Sequence, residues 1–365
     1  MSAVSKVFVF CKYSRKGASS RLRTLQFLPY IKDSGLDFSV SYLFDDEYLG
    51  SLYSGKKISK VKILKYYLKR FFRVLSGLRG RVFWIEYELF PYMPAVFERF
   101  LRLVGIRYIV DYDDAVFHNY DISKSKLVRF FLSHKINVVM RYSYCVIAGN
   151  SYLAEKAKRA GAKNVVIIPT VIDIDRYCFA KKMEKQSIVI GWIGSPSTQK
   201  YIIALANVFK ILADLVEFKL LLVGASPDIV KSLPGVDVKV ESWSEASEVE
   251  SIQSMQIGIM PLPEGPWEKG KCGYKLIQYM ACGVPVVASP VGVNVEIIES
   301  SGSGVTAETE SEWVQELLLL CGSAELRKSY GASGRYSVET RYSVQAQYLN
   351  LKTVLESAYI GEKSI

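Results

Sequence analysis

The chain has 365 residues, about twice the usual size of a single domain, so two compact domains are expected. Half of the residues are apolar and 23% are charged, which excludes wholesale disorder, and no apolar run approaches the roughly 18 residues of a membrane-spanning helix. The formal net charge of +11 is unevenly placed: residues 1–170 hold 29 Lys and Arg against 13 Asp and Glu, a balance of +16, and the remainder stands at −5. Such asymmetry points to a polyanion facing the first half, either nucleic acid or anionic lipid.

Taken in chain order, apolar strands alternate with helical patterns, which predicts parallel sheets covered by helices. Val7–Phe10 reads as a strand, Arg21–Lys32 as a helix, Phe38–Phe44 as a strand and Val61–Leu75 as a basic helix. Val82–Ile85, Tyr108–Val110, Cys145–Ala148 and Val165–Ile168 read as strands, with helices over Ala95–Val104, Lys126–Tyr142 and Tyr152–Ala160. The segment Pro169–Lys185 has no apolar run and is taken as a linker. A second series follows: strands Ser187–Ile193, Lys219–Val223, Val236–Val240, Ile257–Met260 and Val284–Ala288, helices Lys200–Leu215 and Cys272–Cys282, then further helices to the end. The fold class is therefore α/β, with Rossmann-like domains at 1–170 and 171–365 and a helical tail. The N-terminus lacks the apolar core and cleavage site of a signal peptide, so the six scattered cysteines are expected to be reduced cytosolic thiols. With two histidines and no CxxC, neither a zinc site nor a His-rich metal centre is expected.

Five segments are candidates for chemistry. In Lys271-Cys272-Gly273-Tyr274-Lys275, a loop enters a helix that runs through Gln278 and ends at Gly283, with Pro285 opening a strand. Lys275 and Gln278 (or Tyr279) share a helical face, and a helix N-terminus with lysines nearby suits a diphosphate, although an ordinary capped helix reads the same way. Lys16-Gly17-Ala18-Ser19-Ser20-Arg21 follows the first strand as a small-residue turn; it is not GxGxxG, so either an anion site at Arg21 or a plain turn fits. Asp111-Tyr112-Asp113-Asp114 and His118 lie at the carboxyl end of a strand, where ligands of open α/β sheets bind. Asn150-Ser151 sits at another strand end, where capping alone would explain it. Ser51–Ile85 holds ten basic residues (Lys56, Lys57, Lys60, Lys62, Lys65, Lys69, Arg70, Arg73, Arg79, Arg81) and no acid, amid Leu64, Tyr67, Leu68, Phe71 and Phe72. That composition fits a helix lying in a membrane interface, or a solvated helix packed on its domain. No RNP, zinc-finger or KH motif supports nucleic acid.

The run Met280-Ala281-Cys282-Gly283-Val284-Pro285-Val286-Val287-Ala288 resembles the donor-site region of family 4 retaining glycosyltransferases, which have the GT-B fold. Asp173 after Pro169-Thr170, Gly191-Trp192-Ile193-Gly194-Ser195 and Gly258-Ile259-Met260-Pro261-Leu262 agree with the same pattern. The resemblance implies two Rossmann-like domains facing across a cleft. The first would bind the acceptor and face the membrane; the second would bind the nucleotide sugar, with its tail packing back on the first. It implies diphosphate contacts from Gly194, Ser195, Lys200, Lys271, Lys275 and Gly273, with Lys275, Lys271, Lys200, His118 and Asp114 as catalytic residues. Donor contacts would come from Gly17, Arg21, Asn150, Gly224, Tyr274 and Gln278, and from Trp243 if it flanks the base and is not core. The donor would be UDP- or GDP-linked, no separate cofactor or metal would be needed, and the acceptor would be lipid-linked or a polysaccharide at the cytoplasmic face of the cell membrane.

Two departures stand out. Gln278 occupies the position of the family's second glutamate, and Gly270 that of the first, so the paired carboxylates are absent at their spacing. Gln278 could still hold ribose hydroxyls, so Gln278→Glu is expected to be tolerated; Glu264 or Glu268 are the nearby carboxylates. The departures keep open a catalytically inactive GT-B protein that binds nucleotide sugar or scaffolds an assembly. The cationic half keeps open a nucleic-acid-binding protein.

Overall fold

The computed structural model describes residues 5–32, 35–78, 80, 82–179 and 187–361. They form two units, residues 1–170 with 347–365, and residues 171–346.

In the first unit the chain runs β1 (Ser5–Tyr13), a π-helical turn (Ser20–Leu25), β2 (Leu36–Phe44), α1 (Asp46–Tyr53), α2 (Lys60–Gly77), β3 (Val82–Glu86), α3 (Val96–Leu103) and β4 (Arg107–Tyr112). It continues through α4 (His118–Asp121), α5 (Lys126–Leu132), α6 (Lys135–Tyr142), β5 (Cys145–Ala148), α7 (Ser151–Arg159) and β6 (Val165–Ile167). The six strands are parallel in the order β2-β1-β3-β4-β5-β6. Val82–Glu86 is buried on both faces, as a parallel sheet covered by helices requires. Short polar side chains start the helices: Asp45 caps α1, Ser125 caps α5 and Asn150 caps α7.

The second unit runs β7 (Ile188–Ile193), α8 (Lys200–Ile203), α9 (Ala206–Leu215), β8 (Phe218–Val223), a 3-10 turn (Pro227–Ser232), β9 (Val238–Glu241), α10 (Glu248–Gln253) and β10 (Ile257–Met260). Then come α11 (Pro266–Lys269), α12 (Tyr274–Ala281), β11 (Val286–Ala288), α13 (Val293–Ser301), β12 (Gly304–Thr306), α14 (Glu310–Gly322), α15 (Ala324–Arg341) and α16 (Val344–Ile360), whose residues from Gln347 belong to the first unit. Its sheet is also parallel, in the order β12-β11-β10-β7-β8-β9. Apolar cores line both faces of it: Trp192, Phe209, Leu220 and Trp313 on one, Ile193, Leu276, Tyr279 and Val338 on the other.

The alternating pattern and sheet class are as the sequence predicts, and several boundaries are not. The helix expected over Arg21–Lys32 is a π-helical turn followed by tight turns, because Arg23 is buried and turned inward onto Asp111. Lys126–Tyr142 breaks at Ser133–His134, where Lys135 leaves solvent to pair with Glu88 and donate to Phe90 O. Lys200–Leu215 breaks at Ala204–Leu205. The supposed linker is packed where it is described: Ile172 and Tyr177 are buried, and Ile172 exchanges backbone hydrogen bonds with Tyr342 and Val344. Residues 180–186, along with Arg79 and Arg81 of the basic run, lie outside the described residues.

Candidate functional site

In a doubly wound sheet, ligands bind at the carboxyl ends of the strands where strand order reverses. In the second unit this point lies between β7 and β10. Tyr279 of α12 spans it, accepting from Ile193 N at 3.0 Å and donating to Ile259 O at 3.3 Å. The backbone here is held close. Gly224 has φ +82°, and a Cβ on it would lie 2.3 Å from Gly194 O and 3.2 Å from Trp243 Cβ, so Gly194, Gly224 and Trp243 form one contiguous wall. Gly194 in turn lies against the indole of Trp192, and Lys275 Nζ sits 5.3 Å from the centre of an indole ring of the same residue.

Lys275 is the strongest electrostatic feature of this wall. Burial, with the nearby Lys271 charge added, lowers its ammonium from 10.5 to about 8. An anion placed there would relieve both effects, and the helix α12 directs its positive end, begun at Gly273 with φ +65°, toward the same place. Lys200, at the start of α8, lines a pocket of about 430 Å³ with Pro261, Leu262 and Pro263, which follow the carboxyl end of β10, and with Glu308 and Trp313. The Ser195 hydroxyl is engaged with Ser197 and Thr198.

Gln278 does not share the face of Lys275. Lys275 and Tyr279 point to β7, whereas Gln278 is buried on the side of Tyr274 and donates to the Tyr177 hydroxyl at 3.0 Å. Tyr177 donates to Glu248 Oε1 at 2.6 Å and lies 3.3 Å from the Tyr274 hydroxyl, and Trp243 Nε1 donates to Glu248 Oε2 at 2.9 Å. Glu248, Tyr177 and Arg176, which also reaches Glu248 at 3.1 Å, are thus neighbours of the wall that no motif marked. Of the two carboxylates near Gly270, Glu268 accepts from Tyr201 at 2.7 Å, while Glu264 is exposed and paired with Lys269. Trp243 is 40% exposed and so is not a core residue.

The first unit reverses its strand order between β1 and β3. Gly17 and Arg21 belong to the turn after β1: Arg21 is buried, its backbone N–H donates to Gly17 O, and its guanidinium reaches Arg15 O at 3.3 Å. The centre of this point is a carboxyl that the sequence did not single out. Glu86 Oε2 accepts from Ser20 Oγ at 2.6 Å and from Lys12 N at 2.9 Å, Oε1 has no hydrogen-bond partner, and burial raises its pKa to about 7. Beside it Asp111 pairs with Arg23 at 2.8 Å, yet burial still raises it to about 6. Tyr87 donates to Asp113, and Asp114 Oδ1 accepts from Ala115 N at 3.0 Å. His118 is held at both nitrogens, Nδ1 2.8 Å from Asp121 and Nε2 3.2 Å from the Tyr152 hydroxyl. Asn150 is buried and accepts from Leu153 N at 2.9 Å as the cap of α7.

Residues 187–322 match the family described as Glycosyl transferases group 1. No curated protein sequence matches the chain. Among solved structures, the chain is similar to a sucrose-phosphate synthase from Thermosynechococcus elongatus, at 13% identity, 98% of this chain, 100% of that one and a TM-score of 0.74. It is similar to Anabaena HepE in complex with UDP-glucose, at 16% identity, 96% and 99% coverage and a TM-score of 0.69. A third is WaaG, a glycosyltransferase involved in lipopolysaccharide biosynthesis, at 14% identity, 95% and 99% coverage and a TM-score of 0.64. The chain therefore has the fold of GT-B glycosyltransferases, and residues 187–322 of its second unit match the group 1 transferase family.

Proposed function

We propose that the protein is a retaining glycosyltransferase that moves a sugar from a UDP- or GDP-linked donor to a lipid-linked or polysaccharide acceptor. The observation that carries this reading is the wall at the β7/β10 switch point, where Lys275, with its ammonium lowered to about 8, faces Trp192 beside Gly194 and Gly224. A partly desolvated cation gains most when a dianionic diphosphate arrives. The similarity to a HepE structure holding UDP-glucose supports a nucleotide sugar as that ligand.

Catalysis in this reading is electrostatic. Lys275 and Lys271, with Lys200 and the positive end of α12, stabilise the charge that grows on the diphosphate as its bond to the anomeric carbon breaks. The acceptor oxygen bonds to that carbon from the same face and passes its proton to the departing diphosphate. No step calls on a metal or on the missing carboxylate pair. The basic helix α2 supports peripheral attachment to the cytoplasmic face of an anionic membrane, and no helix among the described residues is long and apolar enough to cross one.

The test is calorimetry and turnover with a panel of UDP- and GDP-sugars. Binding with sugar release or transfer is the expected result. Binding without either reaction would favour the inactive GT-B protein, and a salt-dependent shift of DNA without vesicle binding would favour the nucleic-acid reading.

A further inference from the structure

The first unit carries an apolar groove that donor chemistry does not use. Helix α2 buries Arg70 and Val74 and turns Val61, Leu64, Leu68, Phe72 and Leu75 to solvent, with Leu64 59% and Phe72 64% exposed. Beside this stripe, a groove of about 490 Å³ runs between α2 and the Phe90–Phe97 segment that follows β3. Leu64, Leu68, Phe71 and Phe97 line it, Lys60 is the single charged residue in its lining, and no carboxylate contributes. Its floor is fixed by ring contacts, Phe90 on Phe97 at 4.4 Å and Phe71 on Phe97 at 5.9 Å. The Tyr67 hydroxyl is already used, donating to Pro91 O at 2.8 Å.

Tyr92 supplies a second observation. It is 60% exposed in the lining and has φ +57°, a conformation that favours glycine, held by its N–H on the Tyr120 hydroxyl at 3.1 Å. The same local contacts set its ring edge-on to Tyr120 at 5.4 Å and leave it exposed in the groove lining.

We propose that this groove holds the hydrocarbon chain of the anionic lipid-linked acceptor, with the headgroup toward the cations around it. A hydrocarbon chain needs no hydrogen-bond partner, and the groove offers almost none; a peptide backbone would. The exposed Lys56, Lys57, Lys60, Lys65 and Lys69 on and just before α2 match an anionic headgroup, and the +16 balance of residues 1–170 repels a second copy of the same face. The acceptor role rests on the glycosyltransferase reading; the groove does not.

The full chain is mixed with vesicles of phosphatidylcholine and phosphatidylglycerol doped with phosphatidylglycerol bearing a diazirine on its acyl chain, irradiated, and digested for mass spectrometry. Adducts should concentrate in α2 and Phe90–Phe97. Leu68→Gln and Tyr92→Gly should each lower their yield, about tenfold for a lost leucine contact, with sedimentation on the vesicles retained. Leu68 is exposed and glycine suits the Tyr92 backbone, so both variants should fold. Adducts confined to the exposed Phe130–Phe131 pair of α5, or unchanged in both variants, would overturn the groove. Nucleotide binding by the same samples reports on the other reading. Adducts without it would remove the acceptor role and keep the groove; nucleotide binding without adducts would remove the groove alone.

Discussion

The two switch points carry charge opposite to the sequence around them. Residues 1–170 have a balance of +16, yet at the carboxyl ends of β1, β3 and β4 the first unit buries Glu86 and Asp111 and sets Asp113 and Asp114 beside them. The chain beyond residue 170 stands at −5, yet its switch point presents Lys275 and Lys271. The surplus cations of the first unit lie on outward helices, above all α2. Bulk charge thus reports what the outer surface meets, while the chemistry at a strand end is set by a few side chains and their burial.

The largest effect tests the acidic point. The folded protein keeps the Glu86 proton up to about pH 7, whereas a free glutamate loses it near 4.5. Between those values the folded state binds more protons than the unfolded one, so stability falls as pH rises, by on the order of 3 kcal/mol across the window. Asp111, raised from 3.8 to about 6, acts in the same direction at lower pH. Urea unfolding of wild type and Glu86→Gln measures this, and the variant should lose most of the dependence above about pH 5. An equal slope in both proteins would mean that Glu86 is ionised when folded.

The basic point is tested by Lys275→Ala, which should cut turnover by on the order of 10²-fold, about 2.7 kcal/mol of transition-state stabilisation. Its pH signature is opposite in sign to that of Glu86. The folded protein releases the Lys275 proton near 8 and the unfolded chain near 10.5, so this residue's share of stability is present above 10.5 and is lost as pH falls through 8. The ratio kcat/KM, which reports the free enzyme and needs the charge, should decline above about pH 8. A Lys275→Ala enzyme with wild-type rate would remove the lysine from the mechanism.

Gln278→Glu probes the network behind the wall, and the structure changes its expected outcome from tolerance to loss. Tyr177 already gives its one proton to Glu248, so a second carboxylate would meet the tyrosine oxygen in place of a donor. A cost of about 1–3 kcal/mol in thermal or urea unfolding is expected. Unchanged stability would mean that Tyr177 turns its proton to residue 278 and Glu248 finds another partner.

Most of the fold was legible because period and punctuation agree with tertiary structure. The buried run Val82–Ile85, the capping Asn150 and the Gly283-Val284-Pro285 stop give the same answer locally and globally. The π-helical turn was not legible, since Arg21, Arg23 and Thr24 look like a solvent face and are buried by partners far along the chain. The same holds for the site. Lys275 stands out by its place beside a helix start, whereas Glu86, Tyr177 and Glu248 act through contacts separated by dozens of residues, which no spacing records.

The smallest effect concerns the outer cations and sharpens the opening contrast. Removing five charges from α2 (Lys62, Lys65, Lys69, Arg70, Arg73) is the experiment that the sequence suggests, but the structure disqualifies three of them. Arg70 is buried and donates to Cys11 O, Arg73 donates to Ser39 and lies over Phe8, and Lys62 is paired with Glu47. Their loss would change folding together with binding. Lys65 and Lys69 are exposed, and Lys65→Gln with Lys69→Gln should weaken partitioning onto phosphatidylglycerol vesicles by at most about 2 kcal/mol, roughly thirtyfold. Salt should shrink the difference, since exposed charges are screened within about 10 Å at moderate ionic strength. Lys210→Gln with Lys328→Gln removes two exposed charges from the second unit and should leave partitioning unchanged. Sedimentation at low and high salt compares the two pairs directly. Equal losses would mean that the membrane responds to net charge alone, and the basic face of the first unit would then have no special claim on it.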